Sequence, residues 1–193
     1  MNQENNQKVI VIGGSAGSFQ SILHILEELP KNFNIPIIIT IHRLKHIRSG
    51  LVESVSIKSN ATIIEPFDKE DIKPNNIYIA PSNYHLFIEP DYSFSLSTEE
   101  PIEFSRPSID VLFSSAGKVY KNNVISILLS GANKDGAKGV KSIKENGGIV
   151  IIQDPNESEV DIMPKSALEM ITPDYIFKIE EIITFLQNLN TKI

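Results

Sequence analysis

The 193-residue sequence contains no cysteine. Disulfides and thiolate metal sites are thereby excluded, and a reducing cytoplasm suits the chain. Positive charge is also in short supply: 18 Lys and Arg stand against 24 Asp and Glu, a formal net charge of -6. Dedicated nucleic-acid binders carry a basic excess, so nucleic acid is not an expected partner. No apolar run approaches the ~20 residues that cross a bilayer. The longest, at 35–41, is the length of a strand. Residues 1–7 are polar and lack the basic and apolar regions of a secretory signal. The expected setting is the cytoplasm, without membrane insertion. Repeats, low-complexity tracts and linkers are absent too, which leaves a polar leader at 1–7 and one domain over 8–193.

What is present is an alternation of short apolar runs with helical patterns. Most of the runs at 9–12, 35–41, 61–64, 77–80, 124–129, 148–153 and 175–177 read as continuous stretches of Val, Ile and Leu, not as alternating apolar and polar residues. Strands of a parallel sheet buried on both faces require that pattern. Between them, apolar residues recur at spacings of three and four in 19–29, 49–57, 108–120, 136–145, 163–170 and 179–189, as amphipathic helices do. The fold class this predicts is α/β: an open, doubly wound, mostly parallel sheet with helices on both faces. Residues 84–97 alternate better and carry Pro90-Asp91 at their centre, which predicts a β-hairpin hung on one edge of that sheet.

Open parallel sheets bind ligands outside the carboxyl ends of their strands. Three polar residues follow such ends: Ser15 after the first strand, His42 after the second, and Asp135 in the loop after 124–129. A hydroxyl, an imidazole and a carboxylate make up a nucleophile, a base and the group that orients the base. Serine is a weak nucleophile alone, and an imidazole can take its proton at neutral pH. The Ala16 N–H, directly after the serine, is a natural oxyanion donor, and the backbone of Ala132 is a second. The stretch Gly13-x-Ser15-x-Gly17 matches the nucleophile-elbow pattern. The chain order Ser, His, Asp differs from the Ser, Asp, His order of α/β-hydrolases.

Other uses of these residues stand beside that one. The glycine-rich turn could cradle the phosphate of a nucleotide or phosphometabolite. Against this, the turn is not GxGxxG, His42 stands where a ribose-binding acid is wanted, and no GK[ST] is present. Ser15 could cap the helix that follows, Asp135 the helix beginning at Gly136, and His42 could be a structural histidine at a strand end. His85 is a second-choice base, and His24 a surface residue.

With these residues placed, the chain resembles the catalytic domain of the chemotaxis protein-glutamate methylesterases (CheB-type). The matching segments are Ile12-Gly-Gly-Ser-Ala-Gly17, Ile41-His42, Ile77-Tyr-Ile-Ala-Pro81, Arg106-Pro-Ser-Ile-Asp-Val-Leu-Phe113, Leu128-Leu-Ser-Gly-Ala-Asn-Lys-Asp-Gly-Ala137 and Met163-Pro164. They run in family order along nearly the whole chain. The resemblance implies hydrolysis of γ-glutamyl methyl esters on chemoreceptors, with deamidation of receptor glutamines, and no cofactor or metal. It assigns Ser15 as nucleophile, His42 as base, Asp135 as its partner and the Ala16 N–H to the oxyanion.

Three departures stand out. Family members usually carry an N-terminal receiver domain, and this chain is expected to lack that switch. Arg43-Leu44 replaces the common Met-Pro after the histidine, and Ala132 replaces a methionine in the aspartate loop. Arg43, Arg106 and Met163 are the candidates for the substrate rim. The expected partner is the cytoplasmic helices of a methyl-accepting chemoreceptor, or another methylated protein. The rivals are the nucleotide-binding domain and a non-catalytic adaptor of esterase descent.

Overall fold

The computed structural model describes residues 7–42 and 62–189. Nine strands are described: β1 Val9–Gly14, β2 Ile37–Ile41, β3 Thr62–Ile64, β4 Asn76–Ile79, β5 His85–Ile88, β6 Phe94–Ser97, β7 Val124–Leu128, β8 Ile149–Gln153 and β9 Tyr175–Phe177. Five helices accompany them: α1 Phe19–Glu27, α2 Ile109–Tyr120, α3 Ala137–Glu145, α4 Ile162–Met170 and α5 Ile179–Leu189. The helix expected at 49–57 and the rim candidate Arg43 lie outside the described residues.

Seven strands form one parallel sheet in the order β3-β4-β2-β1-β7-β8-β9. From β1 the chain moves to β2, then to the outer strand β3, comes back to β4 between β3 and β2, and after β5 and β6 crosses to β7 on the other side of β1. The strand order therefore reverses between β1 and β7, where such sheets open a crevice at their carboxyl edge.

Both faces are covered, as the unbroken apolar runs require. In β1, Val9 and Val11 pack into a cluster with α2, α3 and α4, whereas Ile10 and Ile12 join α1 and α5 on the opposite face. All four are fully buried. The period-two alternation of a strand sends neighbours to opposite sides, so only a sheet with two hydrophobic faces tolerates Val-Ile-Val-Ile. Among the described residues no helix is long and apolar enough to cross a membrane.

The hairpin exists, but not where it was expected. β5 and β6 pair antiparallel as a separate two-stranded sheet and extend no edge of the large one. The hairpin instead lies over the α2 face. Ile88 N donates to Ser115 Oγ of α2 at 3.1 Å, and Phe94 meets Tyr78 of β4 edge-on at 4.8 Å. Leu86, Ile88 and Phe94 are buried in the same cluster as α2. An edge position would have left that apolar face to solvent; lying on α2 buries it.

Candidate active site

Ser15 and His42 emerge side by side. The parallel register pairs Gly13 with Thr40 and Gly14 with Ile41, so the next residues of the two strands are Ser15 and His42. His42 N continues the ladder by donating to Gly14 O at 3.2 Å. On the other flank Gly13 pairs with Leu128 of β7, and Ser15 N donates to Ser130 O at 2.9 Å. Asp135 enters from the loop that follows. The three residues thus sit at the carboxyl ends of adjacent strands β2, β1 and β7.

The Ser15 turn is held by its neighbours and not by its own hydroxyl. Ser18 Oγ donates to Ser15 O at 2.7 Å, and Ser18 is the N-cap residue of α1. The capping role considered for Ser15 is therefore not the one it fills: Ser15 Oγ makes no hydrogen bond among the described residues and is partly exposed. Gly17 adopts φ +77°, and a Cβ there would stand 2.6 Å from Glu159 Cβ and 2.8 Å from Ser130 Oγ. Gly13 serves packing: a Cβ on it would lie 2.4 Å from Ile109 Cγ2 in the first turn of α2. That clearance lets the N-terminus of α2 approach β1. Ala16 and Ala132 are both exposed at this rim.

Asp135 is fully buried, yet its carboxylate is saturated with donors. His42 Nε2 lies 2.7 Å from Oδ2. Ile109 N donates to Oδ2 at 2.6 Å, and Asp110 N and Ser108 Oγ donate to Oδ1 at 3.0 and 2.8 Å. The last three come from the start of α2, whose free N–H groups and dipole favour an anion. Burial alone would raise the Asp135 carboxyl. Hydrogen bonds from His42, the Asp110 and Ile109 amides and Ser108 outweigh it and hold the group below the usual carboxylate range. Asp135 does not cap its own helix, as the simpler reading had it: α3 begins at Gly136 without a side-chain cap from the N-cap position.

Asp110 completes an exchange. Its Oδ1 accepts from Gly136 N at 2.9 Å and Gly139 N at 2.6 Å, at the start of α3. Asp135, just before α3, satisfies the start of α2; Asp110, in α2, satisfies the start of α3. Burial first, and then the charge of Asp135, push the Asp110 carboxyl up to about 6.

With Nε2 donating to an ionised carboxylate, Nδ1 is the nitrogen left to accept a proton. Ser105 Oγ, which no motif singled out, lies 3.1 Å from it. The Ser105 hydroxyl therefore borders the base directly, whereas Ser15 stands at the end of the neighbouring strand with its hydroxyl unbonded among the described residues.

Several candidates are placed elsewhere. Met163 is 0% exposed and cannot line a substrate rim. It packs beneath the loop after β7, with Met163 Cε 2.4 Å from where a Gly131 Cβ would stand. The Arg106 guanidinium is committed to Glu99 O and Asn83 Oδ1, both at 2.8 Å, and to Thr98 O. It ties the hairpin to the loop, the structural alternative to a substrate contact. His85 is buried and fixed in one neutral pattern, with Nδ1 accepting from Ser108 N at 3.2 Å and Nε2 donating to Glu100 O at 3.1 Å. That removes the second-choice base. Two further positions went unrecognised in the sequence. Gln153 Oε1 accepts from Ser130 N at 2.9 Å, and Ser130 Oγ lies 2.8 Å from Ala16 O, so this pair fixes the serine turn from below. No group of three or more potential ligand side chains capable of holding a metal occurs among the described residues.

Residues 10–186 match the family model described as CheB methylesterase. The chain belongs to that family. The Thermotoga maritima CheB methylesterase catalytic domain superposes with a TM-score of 0.89 at 34% identity, covering 95% of this chain and 98% of that one. A Leptospira interrogans relative is 46% identical, with 92% of each chain aligned. The protein-glutamate methylesterase/protein-glutamine glutaminase of T. maritima is 36% identical over 90% of this chain, and the match spans 52% of its length. A Clostridium acetobutylicum protein of the same name is 30% identical over 91% of this chain and 51% of its own. The superposition thus extends over nearly the whole of the fold described above.

Proposed function

We propose that the chain hydrolyses γ-glutamyl methyl esters of a methylated protein, and deamidates glutamines at such positions, through an acyl-enzyme on Ser15. The observation that carries this reading is the 2.7 Å contact between His42 Nε2 and a buried Asp135 carboxylate, next to a strand end whose Ser15 hydroxyl has no hydrogen-bond partner among the described residues. The names of the family relatives supply the substrate class.

In this mechanism Ser15 Oγ attacks the ester carbonyl carbon while His42 Nδ1 takes its proton. Asp135 holds the imidazole in the tautomer with Nδ1 free and stabilises the imidazolium that forms. Charge gathers on the former carbonyl oxygen, opposite the N–H groups of Ala16 and Ala132. One such donor is worth about 3 kcal/mol in the transition state. Collapse breaks the C–OCH3 bond, and His42 Nδ1–H passes its proton to the leaving methanol. Water, deprotonated by His42, then attacks the acyl carbon and releases glutamate and free Ser15. With a glutamine, ammonia leaves in place of methanol.

Ser15 is favoured over Ser105 as the nucleophile by what surrounds each. Ser15 is followed by the exposed Ala16 at a helix approach. Ser105 closes a tight turn in which its own N–H and C=O are both bonded to Ile102, at 2.8 and 3.1 Å.

Methanol release from a methylated chemoreceptor fragment tests the reading. The native chain should release methanol. Ser15→Ala and Asp135→Asn should each lower kcat about 10⁴-fold or more. Full activity in Ser15→Ala, or none in the native chain, contradicts the mechanism.

A further inference from the structure

The residue beside Ser105 is the most exposed large apolar side chain among the described residues: Phe104 is 101% exposed. It occupies the tip of a two-residue turn. Ile102 N donates to Ser105 O at 3.1 Å, and Ser105 N to Ile102 O at 2.8 Å. Both central residues are left-handed, Glu103 at φ 48° and Phe104 at φ 62°. Such turns favour Asn-Gly, because a side chain with a Cβ is strained at positive φ and a bulky one more so. Phe104 thus meets two costs at once, a left-handed backbone and a solvated aromatic ring. A glycine would avoid both.

The turn cannot relieve them by folding its tip inward. Asn133 Nδ2 donates to Glu103 O at 3.1 Å, which fastens the turn to the loop that carries Asp135. Ser105 Oγ holds it against His42 Nδ1. At its foot, Ile102 forms part of the wall of an open cavity of about 450 Å³, with Phe87, Ile88, Pro90 and Val119 supplying more of its apolar lining. An aromatic ring is therefore held out to solvent between an apolar hollow and the proposed base.

We propose that Phe104 is the docking contact for the protein substrate, packing against an apolar side chain that the substrate presents beside its glutamyl ester. This inference rests on the methylesterase reading. It commits to a polypeptide substrate because continuity with His42 places the ring within reach of residues flanking the ester, which a free small ester lacks. Aromatic side chains, phenylalanine among them, are enriched at protein interfaces, where binding buries them.

The test measures steady-state methanol release from a methylated receptor fragment, together with thermal melts and sedimentation of each variant. Phe104→Ala should raise KM about tenfold, with kcat within twofold of the native value, and Phe104→Trp should restore KM. Phe104→Gly should raise KM similarly while raising Tm by about 2 °C, as the left-handed strain is relieved. A role in the fold would lower Tm instead. Native-like KM in Phe104→Ala overturns the inference while leaving the reaction intact. So does a native dimer that this substitution dissociates, since the ring would then be covered by a second copy. Absence of methanol release from the native chain overturns the methylesterase reading, and this inference with it.

Discussion

Asp110 and Asp135 are two buried carboxyls within one pair of helix starts, and they divide into opposite electrostatic roles. Asp135 gathers four donors and stays charged, whereas Asp110 has two amide donors and the charge of Asp135 beside it. Because the folded protein raises Asp110 from 3.8 to about 6, it binds that proton more tightly than the unfolded chain does. Stability linked to Asp110 is therefore lost as pH rises from about 4 to about 6 and stays lost above. Asp135 works the other way, contributing above the unfolded carboxylate range and losing its contribution as pH falls through its depressed value. Asp110→Asn keeps an oxygen for Gly136 and Gly139 without the charge. It should match the native protein near pH 4 and exceed it at pH 7 by up to ~3 kcal/mol, measured by urea unfolding at both values. A variant less stable than native at pH 7 contradicts this account. That Ser15, His42 and Asp135 share one edge of the sheet was legible because Ser15 and His42 come at the ends of apolar runs and Asp135 lies in the loop after a third. The partners of Asp135 were not, since Ser108 and Ile109 belong to a helix earlier in the chain whose approach depends on Gly13. Met163 and Arg106 were misread because a sequence does not reveal which way a side chain faces or whether a charge is already paired.

Between elements, the site depends on how closely α2 and α3 approach. Gly139 makes that contact possible: a Cβ there would stand 2.6 Å from Phe113 Cβ and 3.1 Å from Asp110 Cα. The second neighbour is backbone and cannot swing aside. Gly139→Ala should therefore push the helices apart and cost about 1–3 kcal/mol, read as a Tm several degrees lower. It should also lower kcat, because both reciprocal carboxylate caps span the same gap. An unchanged Tm would show that the helices move freely. The order and type of the described elements were legible from unbroken apolar runs and helical spacing, with boundaries shifted by a residue or two. Where the hairpin lies was not. Alternation in 84–97 announces two strands with one apolar face, and only tertiary packing decides that this face lies on α2 and not beside β3.

At the scale of the whole molecule, the sheet sets the chemistry and a loop at its rim adds reach. Reversal of strand order at β1 brings a hydroxyl, an imidazole and a carboxylate to one edge from three separate parts of the chain. The connection from β6 to α2 frames that edge with Phe104 and Ser105. The central claim is that the hydroxyl activated by His42 is that of Ser15, although it is Ser105 that lies against the imidazole in the resting structure. The most direct measurement labels the native protein with a fluorophosphonate and maps the adduct by peptide mass spectrometry. One stoichiometric adduct is expected, on Ser15, abolished in His42→Ala and retained in Ser105→Ala. An adduct on Ser105, or none on either serine, would contradict that claim.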